Sequence, residues 1–266
     1  MKAKAGKGVI TVAGWALLAG LASPAVRAQG PEVQSDSAEA WHLTVTPMAG
    51  LTGFRGNGAI GPLSGGLKMP FHKVARDTRF AMAGSVAASR GPLTLWLDGQ
   101  YLDMSQNVSF DGGVNARAKA YATQLNLGAS WRVWAQNLGG KTFTGGPQQV
   151  TLAPLAGVRW TRLSAKLDAD GMQASQHDRW AIPFAGLRSG VDLGERWLLT
   201  GEADAGAWGQ DFTAQGQVMA GYRLTVFGQP AVAQAGYRVL HLDHKASDFH
   251  WNVTQYGPAA GLSVIF

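Results

Sequence analysis

Cysteine is absent from the 266 residues, so the chain forms no disulfide and offers no thiolate as nucleophile or metal ligand. Charge is sparse, with Asp, Glu, Lys and Arg at 15% against an ordinary share of about 25%. Beyond the first thirty residues no run of 18 apolar residues occurs, which excludes a transmembrane helix. A sustained period near 3.6 is also missing, so long amphipathic helices are not expected. No Gly-x-Ser-x-Gly, phosphate loop or dinucleotide fingerprint stands in a strand–helix context, which removes the familiar hydrolase and nucleotide-binding signatures.

What the chain does have begins at its N-terminus. "MKAKAGKG" carries Lys2, Lys4 and Lys7, an apolar run from Val9 to Ala22 follows, and "SPAVRAQG" puts Val26 and Ala28 at the −3 and −1 positions of a cleavage site. These are the three parts of a secretory signal peptide. The alternative, an anchor helix, is weaker because the run falls short of about 18–20 apolar residues. The expected organisation is a cleaved signal peptide over residues 1–28, a flexible segment over 29–40 and one domain over 41–266. Cleavage removes Lys2, Lys4, Lys7 and Arg27 and no acid, so the formal net charge of +6 becomes +2. The basic balance belongs largely to the leader, and no nucleic-acid partner is expected.

The domain itself alternates. In "YATQLNLGASWRVW" Tyr121, Leu125, Leu127, Ala129, Trp131 and Val133 share one parity, and Gln124, Asn126, Gly128, Ser130 and Arg132 share the other. Successive side chains of a strand point to opposite faces, so each segment presents an apolar and a polar side. Ten such segments fall at roughly 41–53, 78–89, 93–104, 117–134, 149–163, 179–192, 195–208, 212–225, 229–243 and 249–266. Each meets the ~9–11 residues that a tilted strand needs to cross a bilayer. The pattern predicts an all-β protein, a transmembrane antiparallel up-and-down β-barrel of about ten strands, with eight or twelve as alternatives. The join "AQNLGGKTFTGGPQQ" is long for a periplasmic turn, and the seventh-to-eighth join is short for an external loop. Trp41, Trp131, Trp134 and Trp197 fall at one predicted end and Trp160, Trp180, Trp208 and Trp251 near the other, as interfacial girdles do. Trp96 sits mid-strand with inward parity. The parity of Trp180 conflicts with Pro183 and Leu187, which predicts a bulge in the sixth strand.

A hexapeptide recurs: "PLAGVR" from Pro154 and "PFAGLR" from Pro183, with looser copies "PMAGLT", "MAGYR", "QAGYR" and "PAAGLS". In a barrel its arginine faces the interior while its apolar neighbours face lipid. Arg79, Arg132, Arg159, Arg188, Arg223 and Arg238 take the inward parity, as do Asp98, Glu202 and Asp204. Gly128, Gly157, Gly186, Gly221 and Gly236 are inward too and are expected to leave room for guanidinium groups. Six arginines against three acids would favour a narrow anion conduit. A salt-bridged plug is the preferred alternative, because small barrels have interiors that side chains fill. Arg159 or Arg188 against Glu202 or Asp204 is the candidate network.

The chain resembles small proteobacterial outer-membrane β-barrel proteins from about Trp41 to Phe266. The resemblance is carried by "VTPMAGLTG", "FAMAGSVAASRGPLTLWLDGQYLDMS", "PLAGVRWTRL", "ERWLLTGEADAGAWG", "AGYRVLHLD" and "GPAAGLSVIF". It implies a bacterial outer-membrane location, lipid and lipopolysaccharide as surroundings, and delivery by the barrel-assembly machinery, with Gly261, Val264 and Phe266 matching the assembly signal. Ala259 stands where that signal usually has a polar residue. The first long loop, often acidic in such proteins, is basic here ("GLKMPFHKVARDT").

The densest polar stretch is "HLDHKASDFH", with His241, Asp243, His244, Asp248 and His250 at a predicted outer rim. These residue types suit zinc or nickel, but a solvated loop that holds nothing is the preferred reading, and no metal or cofactor is expected. An omptin-type protease would need a second acidic pair across the mouth, for which Asp103 and Asp111 are the only nearby candidates, and the Asp-x-His arrangement is not reproduced. No catalytic residue is assigned. The expectation is a monomeric barrel, not an enzyme, with a structural role or a minor solute-conducting one. The alternatives are a surface-loop enzyme (protease or lipid-modifying), an adhesin or binding protein, and a soluble lipocalin-like barrel with its faces reversed.

Overall fold

Alternating side chains satisfy both faces of a sheet only if the two faces meet different surroundings, and a bilayer-spanning sheet must also lose its edges. The computed structural model meets both conditions. It describes residues 40–60, 63–69, 78–109, 115–169, 172–246 and 249–266. Their strands are β1 (His42–Gly50), β2 (Gly53–Ile60), β3 (Leu63–Met69), β4 (Thr78–Arg90), β5 (Leu93–Ser109), β6 (Asn115–Trp131), β7 (Trp134–Lys141), β8 (Pro147–Ala169), β9 (Met172–Asp192), β10 (Trp197–Trp208), β11 (Asp211–Val226), β12 (Gln229–Ala246) and β13 (Phe249–Ile265). The signal-peptide and N-terminal segments expected over 1–39 lie outside the described residues.

Ten strands form the wall in the order β1-β4-β5-β6-β8-β9-β10-β11-β12-β13, every pair antiparallel, and β13 pairs with β1 to close it. Following the register around the wall leaves β1 at His42, passes Ser89, Thr94, Ser130, Leu155, Gly186, Asp204, Gln215, Leu240 and Gln255, and returns at Phe54 on β2, twelve residues farther along the same run of chain. With strand spacings of about 3.3 and 4.8 Å, that stagger corresponds to a tilt of roughly 40° and a backbone radius of about 10 Å. Such a barrel is narrow enough for side chains to meet across it.

The faces divide by parity. Leu43, Leu97, Leu127, Val158, Leu187, Val218 and Tyr237 are exposed on the outside, whereas Arg159, Asp204, Gln215 and Asn126 are buried. Trp41, Trp131, Trp134 and Trp197 are exposed at the end that carries the strand termini Trp41 and Phe266, here called the lower end. Two of the four tryptophans expected in the upper girdle do not belong to it. The ladder between β8 and β9 runs without a register shift from Val150↔Val191 to Ala169↔Met172, so there is no bulge at Trp180. Trp180 therefore faces inward with Ile182 and Phe184 and is 7% exposed, and Trp251 packs against the same inner cluster. The reason is that the interior is not polar throughout. Its upper layer is apolar, built from Phe54, Met104 and Val253 on one side and Leu163, Trp180 and Ile182 on the other, joined by Trp251.

The irregular joins also acquire structure. β1 continues along β13 as β2 and folds back as the β2–β3 hairpin. The long join after β6 contains β7, which pairs with the lower end of β8, and its Phe143 amide donates to Glu195 O at 2.7 Å. The β10–β11 join is a two-residue turn with Gly209 at φ 63°, a value that favours glycine.

Candidate functional site

Midway up the interior the arginines of the repeated hexapeptide meet acids and amides from other strands. Arg159 is 1% exposed. Its Nη2 donates to both carboxylate oxygens of Asp204 at 3.0 and 3.2 Å, its Nε to Asn126 Oδ1 at 3.1 Å, and its Nη1 to Thr213 Oγ1. Arg188 pairs with Glu202 at 2.6 Å. Glu202 accepts from Gln215 Nε2 at 3.2 Å, and Gln215 Oε1 in turn accepts from Arg159 and from Arg238. Amides carry the network around the other half: Gln124 donates to Asn126, and Gln100 donates to both Gln124 and Gln255. β5, β6 and β8 to β13 all contribute. A buried guanidinium is tolerable only when its charge and its donors are met in this way.

Two of the inward glycines make room for rings, while Gly186 and Gly236 admit neighbouring backbone and Gly221 admits Val232 and Leu198. A Cβ at Gly128 would lie 2.4 Å from the Trp96 ring, and one at Gly157 would lie 2.7 Å from the Phe184 ring. Those rings then lie against the guanidinium groups, with Arg188 Cζ 4.6 Å from the Trp96 centroid and Arg159 Cζ 4.7 Å from that of Phe184. Flat cations against ring faces gain attraction without needing water.

Lower down, Arg223 pairs with Asp192 at 2.5 Å, both nearly buried, with Val232 opposite Arg223 in the ladder. Asp192, which shares parity with Arg188, is the last residue of β9 and is absent from the acids expected in the interior. Gln215 has the parity of Arg223 and was missed because only charges were counted. Arg132 lies in the link after β6, where its amide donates to Pro92 O. Arg79 lies in β4, and its side chain is outside the description. Among the described groups, Arg159, Arg188 and Arg238 face Asp98, Glu202 and Asp204, and Arg223 faces Asp192, so the positive excess expected from parity is not present in this set.

A cavity of about 460 Å³ extends across the interior from the wall at β1, β4 and β5 to β9–β13; it is lined by Trp96, Asp98, Gln100, Arg188, Glu202, Gln217 and Arg238 among others, and at the wall by Ala49, Leu51, Ala81 and Met82.

The histidine-rich stretch does not form one cluster. β12 runs to Ala246, so His241 and Asp243 take outward parity, as does His250 on β13, while His244 turns inward. His241 Nδ1 lies 3.0 Å from Thr254 Oγ1, and His250 Nε2 lies 3.3 Å from Asp243. His244 stacks on Trp180 with ring centroids 4.0 Å apart and lies 3.1 Å from Asp178 and 2.9 Å from Asp211. Asp248 and Asp111 are outside the described residues, and Asp103 takes outward parity in β5. Among the described residues no group of three or more His, Asp or Glu has metal-binding geometry. Gly261 and Val264 lie in β13 opposite Met48 and Val45, and Phe266 exchanges backbone hydrogen bonds with Leu43 at the closing seam.

Fold and interior together define a ten-stranded transmembrane β-barrel with an apolar exterior. No family model matches the chain, and no curated protein matches it in sequence. It is similar in structure to the neisserial surface protein A, at 12% identity and a TM-score of 0.32, over 84% of this chain and 96% of that one. It is also similar to the Pseudomonas putida toluene transporter TodX, at 9% identity and a TM-score of 0.28 over 84% and 88%. A third similarity is to a Pseudomonas aeruginosa FadL homologue, at 11% identity and a TM-score of 0.24 over 85% and 89%.

Proposed function

We propose that the protein is an integral outer-membrane barrel with a structural role, its lower end facing the periplasm and its interior acting as a plug. The observation that carries this reading is the Arg159–Asp204 pair, 1% and 0% exposed, lying midway between an apolar upper layer and the Arg223–Asp192 pair below. An ion moving along the axis would have to cross the apolar upper layer that spans the interior through Trp251, where it would lose its water without a polar replacement. The pairing of Arg159, Arg188 and Arg223 with Asp204, Glu202 and Asp192 supports a plug over an anion conduit. Lipid and lipopolysaccharide are the surroundings this reading requires, the barrel-assembly machinery the route of delivery, and a monomer the working state.

The experiment is purification from the membrane fraction, electrophoresis before and after boiling, and recording in planar bilayers. The expected result is detergent extraction, a folded band that shifts on heating, and no unitary conductance steps. Reproducible anion-selective steps would overturn the plug, and extraction by salt alone would overturn the membrane placement.

A further inference from the structure

The wall has a place where neighbouring strands part within the apolar band. The β1–β4 ladder ends at Met48↔Ala83, yet β1 continues beside β13 to Gly50↔Ala259 and β4 continues beside β5 to Thr78↔Met104. Over residues 49–53 and 78–82 the two strands therefore present backbone groups to each other with no ladder between them. Beside this seam Leu51, Phe80 and Met82 are 52%, 53% and 63% exposed, so it lies among side chains that face lipid. Ala81 has inward parity and is nonetheless exposed. Unpaired backbone amides and carbonyls are unstable against hydrocarbon, and the structural solutions are a partner or access to a polar space.

The 460 Å³ cavity is that space. It is bounded at the seam by Ala49, Leu51, Ala81 and Met82 and deeper in by Gln100 and Gln217. Its size falls in the range that holds a small ligand, roughly 300–1,000 Å³. Its lining is apolar at the seam and carries amides deeper in, and the charges that reach it balance, Arg188 and Arg238 against Asp98 and Glu202, with Arg188 paired to Glu202 and Arg238 bonded to Gln215. A ligand entering here would leave its apolar part among Leu51, Phe80 and Met82 and carry a hydrogen-bonding group without net charge inward.

We infer that the β1–β4 seam is a lateral entrance by which the polar end of a single-chain amphiphile with an uncharged or zwitterionic head enters the cavity from the membrane. The inference goes beyond the structural role proposed above and needs only that the barrel stands in a bilayer; a plug closed along its axis is compatible with a side entrance.

The absence of cysteine makes the test direct, since any introduced thiol is unique. Gln217→Cys, Gln100→Cys and Val218→Cys would each be refolded into phosphatidylcholine vesicles, with the heat-shifted band as the check on folding. Each would be exposed to a lysophosphatidylcholine bearing a maleimide at its head group, or to a charged water-soluble maleimide, and the adducts weighed. Val218→Cys, on the outer face, reports that the lipid reagent reaches the protein. The expected result is that Gln217→Cys and Gln100→Cys are labelled by the amphiphile and spared by the soluble reagent, and that adding Ala81→Trp to either abolishes the labelling. Folded variants that stay unlabelled while Val218→Cys reacts would overturn the entrance. So would equal labelling by the soluble reagent, or labelling that survives Ala81→Trp. Failure of all variants to show a folded, vesicle-bound band would instead overturn the membrane reading itself.

Discussion

Above the two-residue β10–β11 turn the wall is low, because β9 pairs with β10 only as far as Ala185↔Ala205 while residues 172–184 rise on beside β8. Side chains bridge this notch: His244 of β12 lies between Asp178 of β9 and Asp211 of β11 and stacks on Trp180. Between β1 and β4 the ladder also stops, and among the described residues no side-chain pair crosses the opening. The interior differs in the same way. The hydrogen-bonded network draws on every strand of the wall except β1 and β4, and the cavity extends from that network to those two strands. One half of the barrel is tied together by charges and rings, and the other is held mainly by backbone pairing. Stability should therefore depend on side chains in the first half, whereas the described cavity reaches the wall in the second.

The largest expected effect comes from breaking the tied half at its centre. Asp204→Ala leaves Arg159 buried and uncompensated, and urea titration followed by the heat-shifted band should report a loss of about 3–5 kcal/mol. The double variant Arg159→Met/Asp204→Leu should recover most of it, because an apolar pair removes both desolvation terms. Next is Gly157→Ala, whose Cβ would sit 2.5 Å from Leu127 O and 2.7 Å from the Phe184 ring; a loss of about 1–3 kcal/mol is expected from the same titration. His244→Ala should cost about 1–2 kcal/mol by removing the bridge over the notch, and protease accessibility of the upper β9 segment should rise with it. The smallest effect belongs to the open half: Ala81→Leu, on an exposed position beside the seam, should stay within about 0.5 kcal/mol of the parent. An Ala81→Leu loss as large as that of Asp204→Ala would erase the distinction between the two halves.

Parity carried much of this from the residues alone. Ten strands could be placed because each had a strict two-residue alternation, and the arginines of the hexapeptide were separable from their apolar neighbours for the same reason. What parity does not report is height. Trp180 and Trp251 read as girdle residues because tryptophan near a strand end normally meets the interface, yet the upper interior is apolar and takes them in. Nor does parity identify partners: which acid Arg159 meets depends on the stagger of twelve residues around the wall, a property of closure. Nor does it show that a ring from a neighbouring strand lies between Gly128 or Gly157 and the guanidinium groups. The histidine-rich stretch read as a loop because its polarity is high, whereas β12 extends through it and splits it between two faces.

Apolar side chains lie outside the wall and polar ones within, with Val158 at 45% exposure and Thr161 at 5% on the same strand. Single cysteines at these two positions, labelled in vesicles with an apolar maleimide confined to the hydrocarbon, test it most directly. Val158→Cys should react and Thr161→Cys should not; reaction at Thr161→Cys with Val158→Cys spared would contradict the architecture.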